Sequence, residues 1–243
     1  MSACATTDAY DLSAFPRFEV TVDVVVLTVD HRQLSVLLVQ RANQTEQHKW
    51  ALPGGFKRPD ETLDQAAARE LEEETGLGAP VHLEQFRAYG DPGRDPRGNV
   101  VTIAYLAAVP VIGNVTGGGD ARRAAVFPVA DVVARKRSIA FDHRRIILDA
   151  TNHVSAQLEQ SDIALGFLPP TFTMSELRNI HEAVTRQRLE PANFRRRILA
   201  LAPALIEPTG TRAPTTAVGG RPAELFRRTP RTNTVRPSSS RLM

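Results

Sequence analysis

The sequence predicts an α+β chain of two domains, a sheet-and-helix unit followed by a basic helix-turn-helix module. Three observations carry this. At 243 residues the chain is long for one ordinary domain and short for three. β-branched-rich runs alternate with helical segments up to about residue 160, and two short helices and a hairpin follow. Charge also segregates: residues 171–243 hold 13 Arg and 5 Glu with no Lys or Asp, a net +8, whereas the preceding part holds 17 basic and 22 acidic residues, a net −5. An Arg-rich composition explains Arg over Lys but not this segregation, which is the electrostatic footprint of a polyanion binder, most often nucleic acid.

Composition narrows the class further. With 42% hydrophobic and 23% charged residues the chain is globular, not disordered, collagen-like or coiled-coil. A single cysteine, Cys4, excludes a disulfide scaffold and a thiolate zinc site. The apolar runs 24–29 and 34–39 are too short to span a bilayer, and no basic-then-apolar leader opens the chain. A cytoplasmic protein without membrane contact is the expectation.

The elements follow in order. Residues 1–16 and 229–243 are polar and aperiodic and are expected as flexible tails. Residues 18–29 and 34–40, separated by Asp30-His31-Arg32-Gln33, form a hairpin. A helix over 63–75 ends at Gly76, a natural residue for the position after a helix. Strands over 81–89 and 99–111 flank the loop 90–98, and a strand at 122–129 precedes a short helix at 130–135. Asp142 is the expected N-cap of a helix reaching about residue 160. The first domain is thus drawn over 17–160 and the second over 161–228.

The 63–75 helix carries the chemistry. Advancing about 100° per residue places Glu70, Glu73 and Glu74 within an arc of roughly 100°, with Glu72 pointing away. A stripe of Leu63, Ala67 and Leu71 buries the helix against a sheet and holds the carboxylates at the edge of a cleft. Most Glu-rich helices are merely solvated. Here, however, three like charges on one face repel unless a cation sits between them, and an oxygen-only set without His or Cys suits Mg²⁺ or Mn²⁺, which in turn bind phosphate oxygens.

From Gly55 to Leu77 every fixed position of the pattern G-x5-E-x7-R-E-U-x-E-E-x-G-U is met, with U aliphatic. This segment resembles the Nudix box. The resemblance implies an α/β/α sandwich with a mixed sheet, and hydrolysis of nucleoside diphosphate-X compounds. It makes Glu73 and Glu74 the main metal ligands and Glu70 a further ligand or water-activating base. Arg69 would orient a glutamate, Gly55 would offer a backbone carbonyl to the metal, and Glu61 would support the loop. In the run Gly90-Asp-Pro-Gly-Arg-Asp-Pro-Arg-Gly98, Arg94 and Arg97 are placed to clamp a diphosphate, and Tyr105 on the next strand to stack on a base. That run is similar to the ADP-ribose-type branch of Nudix proteins, so ADP-ribose is the favoured ligand.

In the basic module, Thr173 and Glu176 form a capping box that opens a helix to about residue 187, with Leu177, Ile180 and Val184 inward. Pro191 begins a second helix, 191–201, with Phe194, Ile198 and Leu201 as its buried stripe. Asn193, Arg196 and Arg197 cluster on roughly the opposite face and Arg195 flanks them, the chemistry of a recognition helix. Short strands at 204–207 and 223–226 bracket a loop with Arg212 and Arg221, which completes a winged helix. Any surface helix can carry several Arg, but the run FTMSEL…EPANFRRR…GGRPAELFRR resembles the C-terminal domain of the Nudix-related transcriptional regulators, bacterial repressors of NAD metabolism genes.

With both halves, the resemblance covers roughly residues 18–228. It implies a homodimer that binds a palindromic operator and senses ADP-ribose or a related nucleotide. Ala140-Phe141-Asp142-His143 also belongs to it. Members of that family often carry a degenerate box, whereas this one is complete. The alternative expectation is therefore an active ADP-ribose pyrophosphatase with an accessory basic domain, or one chain with both activities.

Overall fold

The computed structural model describes residues 11–78, 82–110, 112, 121–158, 162–201, 205–214 and 222–229. Both predicted tails lie mostly outside them, as do Cys4 and Arg221. No helix among the described residues is long and apolar enough to cross a membrane.

The first half is built on a seven-stranded mixed sheet. Strands β1 (Glu19–Asp30) and β2 (Gln33–Arg41) form the predicted hairpin, joined through left-handed His31 and Arg32. β6 (Val100–Ala108) runs parallel to β1 on its other side, and β5 (His82–Tyr89) lies antiparallel beyond it. β7 (Ala121–Pro128) and the two-residue β3 (Trp50–Ala51) pair with β2, while β4 (Gly54–Phe56) pairs with β1. β3 and β4 were not expected, because two or three residues are too few to show a period.

Alternation along β1 explains the layers. Val22, Val24 and Val26 face helix α1 (Leu63–Thr75) through Ala66, Ala67 and Leu71. Val25 and Leu27 face the opposite layer, where α3 (His143–Gln157) presents Ile146, Ile147, Ala150 and Val154. With both faces covered, the central strands read as continuous apolar runs. Thr62 caps α1: its hydroxyl accepts from the Gln65 N–H at 3.2 Å, and the Gln65 side chain accepts from the Thr62 N–H at 2.8 Å. Gly76 ends the helix at φ 70°, in the left-handed region.

A short α2 (Val129–Val133) follows β7, and α4 (Ile163–Gly166) precedes the second half. There β8 (Thr171–Thr173) leads into α5 (Met174–Thr185), α6 (Pro191–Leu201), β9 (Ile206–Arg212) and β10 (Glu224–Arg228), with the three strands ordered β8-β10-β9. The predicted capping box of Thr173 and Glu176 is formed. α4 lies just beyond the boundary drawn at 160/161, and β8 follows it. The second half is not a separate bead. Phe172, Leu177, Ile180, Val184, Phe194 and Phe226 belong to the same buried cluster as Val25, Leu27, Leu34 and Leu38 of the large sheet.

Three expectations need correction here. Leu201 is 42% exposed and is not part of the buried stripe, which consists of Phe194 and Ile198. Asp142 is the N-cap residue of α3, as expected, but its side chain makes no cap bond, because that carboxylate is committed to Arg94. Arg212 lies at the end of β9 rather than in the wing loop, where its guanidinium donates to the Pro222 carbonyl at 2.9 Å.

Candidate functional site

β1, β4, the N-terminal end of α3, α1 and the loop 90–98 enclose a cavity of about 580 Å³. Glu70, Glu73 and Glu74 all line it, as the helical spacing predicts, and Glu72 does not. The carboxylates are held by an organised set of donors. The Arg69 guanidinium donates to Glu61 at 2.6 and 2.8 Å, to Glu70 at 2.6 Å and to Glu73 at 3.2 Å. Arg58 donates to Glu73 at 3.4 Å, and the Gly54 N–H donates to Glu74 at 2.9 Å. Glu61, on the loop, also accepts from the Arg58 N–H at 2.7 Å, and Arg69 holds its carboxyl down to about 2. Burial pushes the Glu70 carboxyl up, against the pull of Arg69.

The donor chemistry of this wall fits a hard divalent cation: carboxylate oxygens from one helix face, with no imidazole or thiolate. Among the described residues no three acidic or histidine side chains converge on one point, and Arg69 spans the positions between Glu61, Glu70 and Glu73. Gly55 packs against this array, where the nearest atoms to an added Cβ would be those of the Glu70 carboxyl.

The opposite wall is basic and aromatic. Arg97 forms a fork with Asp95 at 2.6 to 3.2 Å, and its guanidinium lies 5.0 Å from the Phe56 ring centroid and 5.3 Å from that of Phe141. Arg41 lies 4.7 Å from Phe141, and burial, then Arg97, lowers its pKa. Burial raises the Asp95 carboxyl, but the bonds from Arg97 outweigh it and leave the pKa lowered. Beneath them is a buried polar network. Arg94 donates two bonds to Asp142, at 2.7 and 3.1 Å, and approaches Asp23 to 3.7 Å. His143 Nδ1 accepts from the Leu52 N–H at 2.9 Å, so the ring proton sits on Nε2, 3.5 Å from Asp23. Burial lowers the pKa of this imidazole.

Two nucleotide-site expectations change. Tyr105 is 1% exposed, faces α1 and donates its hydroxyl to Asp64 at 2.6 Å, so its ring is core and offers no face to a base. Arg94 lines the cavity, but its side chain is 4% exposed and its fork already holds Asp142, so it shapes the site rather than presenting a free clamp. Sequence reading missed Arg41, Phe56 and Phe141. The last belongs to the Ala140-Phe141-Asp142-His143 run and sits at φ 50°.

On α6, Asn193, Arg195, Arg196 and Arg197 are all exposed. Arg196 donates to the Asn193 side-chain oxygen at 2.9 Å, which pre-orders the pair. Arg195 is turned to the wing, where it pairs with Glu224 at 2.8 Å. Arg197 lies 5.8 Å from the Phe194 ring centroid.

Residues 17–150 match the NUDIX domain, and residues 164–228 match the NrtR DNA-binding winged helix domain. The ADPR responsive transcriptional repressor NtrR of Acinetobacter baylyi is 34% identical over 220 residues, 90% of this chain and 85% of that one. The chain belongs to the NrtR family of Nudix-related transcriptional regulators. Similarity within that family extends to three dimensions. The crystal structure of Shewanella oneidensis NrtR complexed with a 27mer DNA is 32% identical, with a TM-score of 0.73 over 86% of this chain and 93% of that one. The NUDIX domain of the same NrtR complexed with ADP ribose is 36% identical, with a TM-score of 0.54 over 60% of this chain and 94% of that one.

Proposed function

We propose that this member of the NrtR family is an ADP-ribose-responsive, DNA-binding transcriptional repressor of NAD metabolism genes. The observation that carries the reading is the union, over one continuous core, of the box-lined cavity with the Asn193–Arg196 face of α6. Arg41, Arg58 and Arg97 supply cationic donors for a diphosphate, and Phe56 and Phe141 supply aromatic faces on the same wall. On the DNA side, Asn193, Arg196 and Arg197 read base edges and phosphates, and Arg195, Arg212 and Arg221 support the wing contacts. A homodimer places two such helices in successive major grooves of a palindromic operator, in the cytoplasm where the chromosome lies. ADP-ribose acts by favouring one spacing of those helices over the other.

The direct test is binding of the purified protein to its own upstream DNA, titrated with ADP-ribose and Mg²⁺ while the nucleotide is followed for cleavage. Specific binding altered by ADP-ribose is expected. Sequence-indifferent, salt-sensitive binding with rapid hydrolysis overturns the reading and favours a pyrophosphatase with a basic appendage.

The complete box is a specific reason to keep hydrolysis as a second activity. Glu70, Glu73 and Glu74, with the Gly55 carbonyl, would hold Mg²⁺ or Mn²⁺, which supplies Lewis acidity and an activated water when bound. Arg69 positions Glu70 and Glu73 through its bonds to both. Replacing Glu73 and Glu74 by Gln abolishes metal-dependent cleavage on this assignment. Surviving turnover in that variant removes it.

A further inference from the structure

A second groove, of about 540 Å³, lies between the two halves of the molecule. It is lined by Arg32 and Leu34 of the β1–β2 hairpin, Asp131 of α2, Glu182 of α5, and Arg186 and Arg188 of the α5–α6 turn. Its two carboxylates are engaged elsewhere. Asp131 pairs with Lys136 at 2.9 Å, while Glu182 accepts from the Leu189 N–H at 3.0 Å and lies 3.6 Å from Arg178. The three arginines are not neutralised. Arg32 donates to the uncharged Asn179 side-chain oxygen at 2.8 Å, and Arg186 and Arg188 have no acidic partner among the described residues. All three are exposed, and Arg32 and Arg186 sit in left-handed turns at φ 63° and 56°.

The position of this cluster says what it meets. The turn that carries Arg186 and Arg188 runs directly into the N-terminus of α6, the end by which a recognition helix approaches duplex DNA. That helix end already holds an anion: the Glu190 carboxylate accepts from the Ala192 N–H at 3.0 Å and from the Asn193 N–H at 2.6 Å. A phosphate is therefore repelled from the helix terminus itself and drawn to the arginines beside it.

We infer that Arg32, at the tip of the Nudix-domain hairpin, joins Arg186 and Arg188 in a ridge that binds the sugar-phosphate backbone of duplex DNA beside the recognition helix. The DNA interface thus extends from the winged helix onto the effector-binding domain. This rests on the DNA-binding reading above. It also gives the effector cavity a direct structural route to DNA, because β1 carries Thr21 and Asp23 of that cavity at one end and leads into Arg32 at the other. The span from Asp23 to Asp30 is on the order of 25 Å of continuous strand.

The test is operator affinity as a function of NaCl for the full-length wild type, Arg32→Ala, Arg188→Ala and Asn179→Ala, with a non-operator duplex in parallel. Wild-type preference for the operator tests the DNA-binding reading by itself, and its absence refutes that reading rather than the ridge. Each lost phosphate contact lowers the slope of log K against log salt by about 0.9 per protomer and weakens binding about five-fold at 0.15 M salt. Arg32→Ala and Arg188→Ala are expected to show this on both duplexes, with ADP-ribose binding unchanged. Asn179→Ala keeps the Arg32 charge and is expected to keep the wild-type slope. Unchanged slopes in both arginine variants overturn the inference. So does a slope loss in Asn179→Ala equal to that in Arg32→Ala, which would make Arg32 a tether between domains.

Discussion

Tyr105 offers a decisive experiment, because a base-stacking ring and a core ring respond in opposite ways to the same substitutions. In the structure the ring is packed beneath α1, among Val24, Val26, Ala67 and Leu71. Its hydroxyl reaches Asp64, in the first turn of that helix, at 2.6 Å. A hydrogen bond to a carboxylate contributes about 1.5–3 kcal/mol, and Asp64 is exposed enough for water to replace the lost donor, so Tyr105→Phe falls at the lower end, near 1.5 kcal/mol. For 243 residues, with an unfolding entropy of about 2.1 cal/mol/K per residue, this lowers Tm by about 3 °C. Tyr105→Leu also removes ring volume and is expected to cost about 2–4 kcal/mol, with a correspondingly larger fall in Tm. Urea and thermal melts give the stabilities, and calorimetric titration of the folded protein gives the affinity for ADP-ribose. Both variants are expected to bind ADP-ribose as the wild type does. A Leu variant of wild-type stability that binds the nucleotide ten-fold more weakly would falsify the core assignment.

Three further outcomes follow from the same geometry. Gly54→Ala drives a Cβ into the Val22 backbone carbonyl and costs about 2–3 kcal/mol, whereas at Gly55 the nearest atoms are those of the Glu70 carboxyl; Gly55→Ala is expected to displace that carboxyl and break the Arg69–Glu70 pair at a smaller cost in Tm, as melts and divalent-cation titrations of the two variants will show. His181 is buried against Phe194, and burial, then Arg197, pushes its pKa to about 4 from an ordinary 6.5. The unfolded chain therefore binds the extra proton first, so stability is lost as pH falls from about 6.5 to about 4, and denaturation of His181→Leu across that range is expected to show a shallower pH dependence. Arg196→Ala weakens operator binding by about 1–3 kcal/mol if the side chain reads a base, measured by fluorescence anisotropy against operators varied at single positions.

Local chemistry was the part of this protein most open to reading. The box lies on one helix and its two loops, so spacing alone places Glu70, Glu73 and Glu74 on one wall of the cavity, and the resemblance adds Arg69, which reaches Glu70 and Glu73. The Thr173 capping box and the α6 start at Pro191 are equally local. What escaped was decided by partners distant in sequence. Arg94 and Asp142 are 48 residues apart, and nothing in the loop 90–98 reveals that its first arginine is committed to the start of α3. Tyr105 lies in a strand covered on both faces, where the alternation that marks a solvent side is absent. The strands β3 and β4 take their shape from pairing with β2 and β1, and no propensity signal of their own survives in two or three residues.

The buried cluster that runs unbroken from the large sheet into α5, α6 and β10 has a consequence for how this regulator can be taken apart. A chain severed near residue 162 would bare Phe172, Leu177, Ile180 and Val184 on one fragment and the β2 and α3 side chains that cover them on the other. Both pieces would then expose apolar surface that the intact chain keeps covered: a sticky stub on the reader and an open scar on the sensor. Swapping a new sensor beneath this reader therefore means redesigning a shared interior, not splicing a linker.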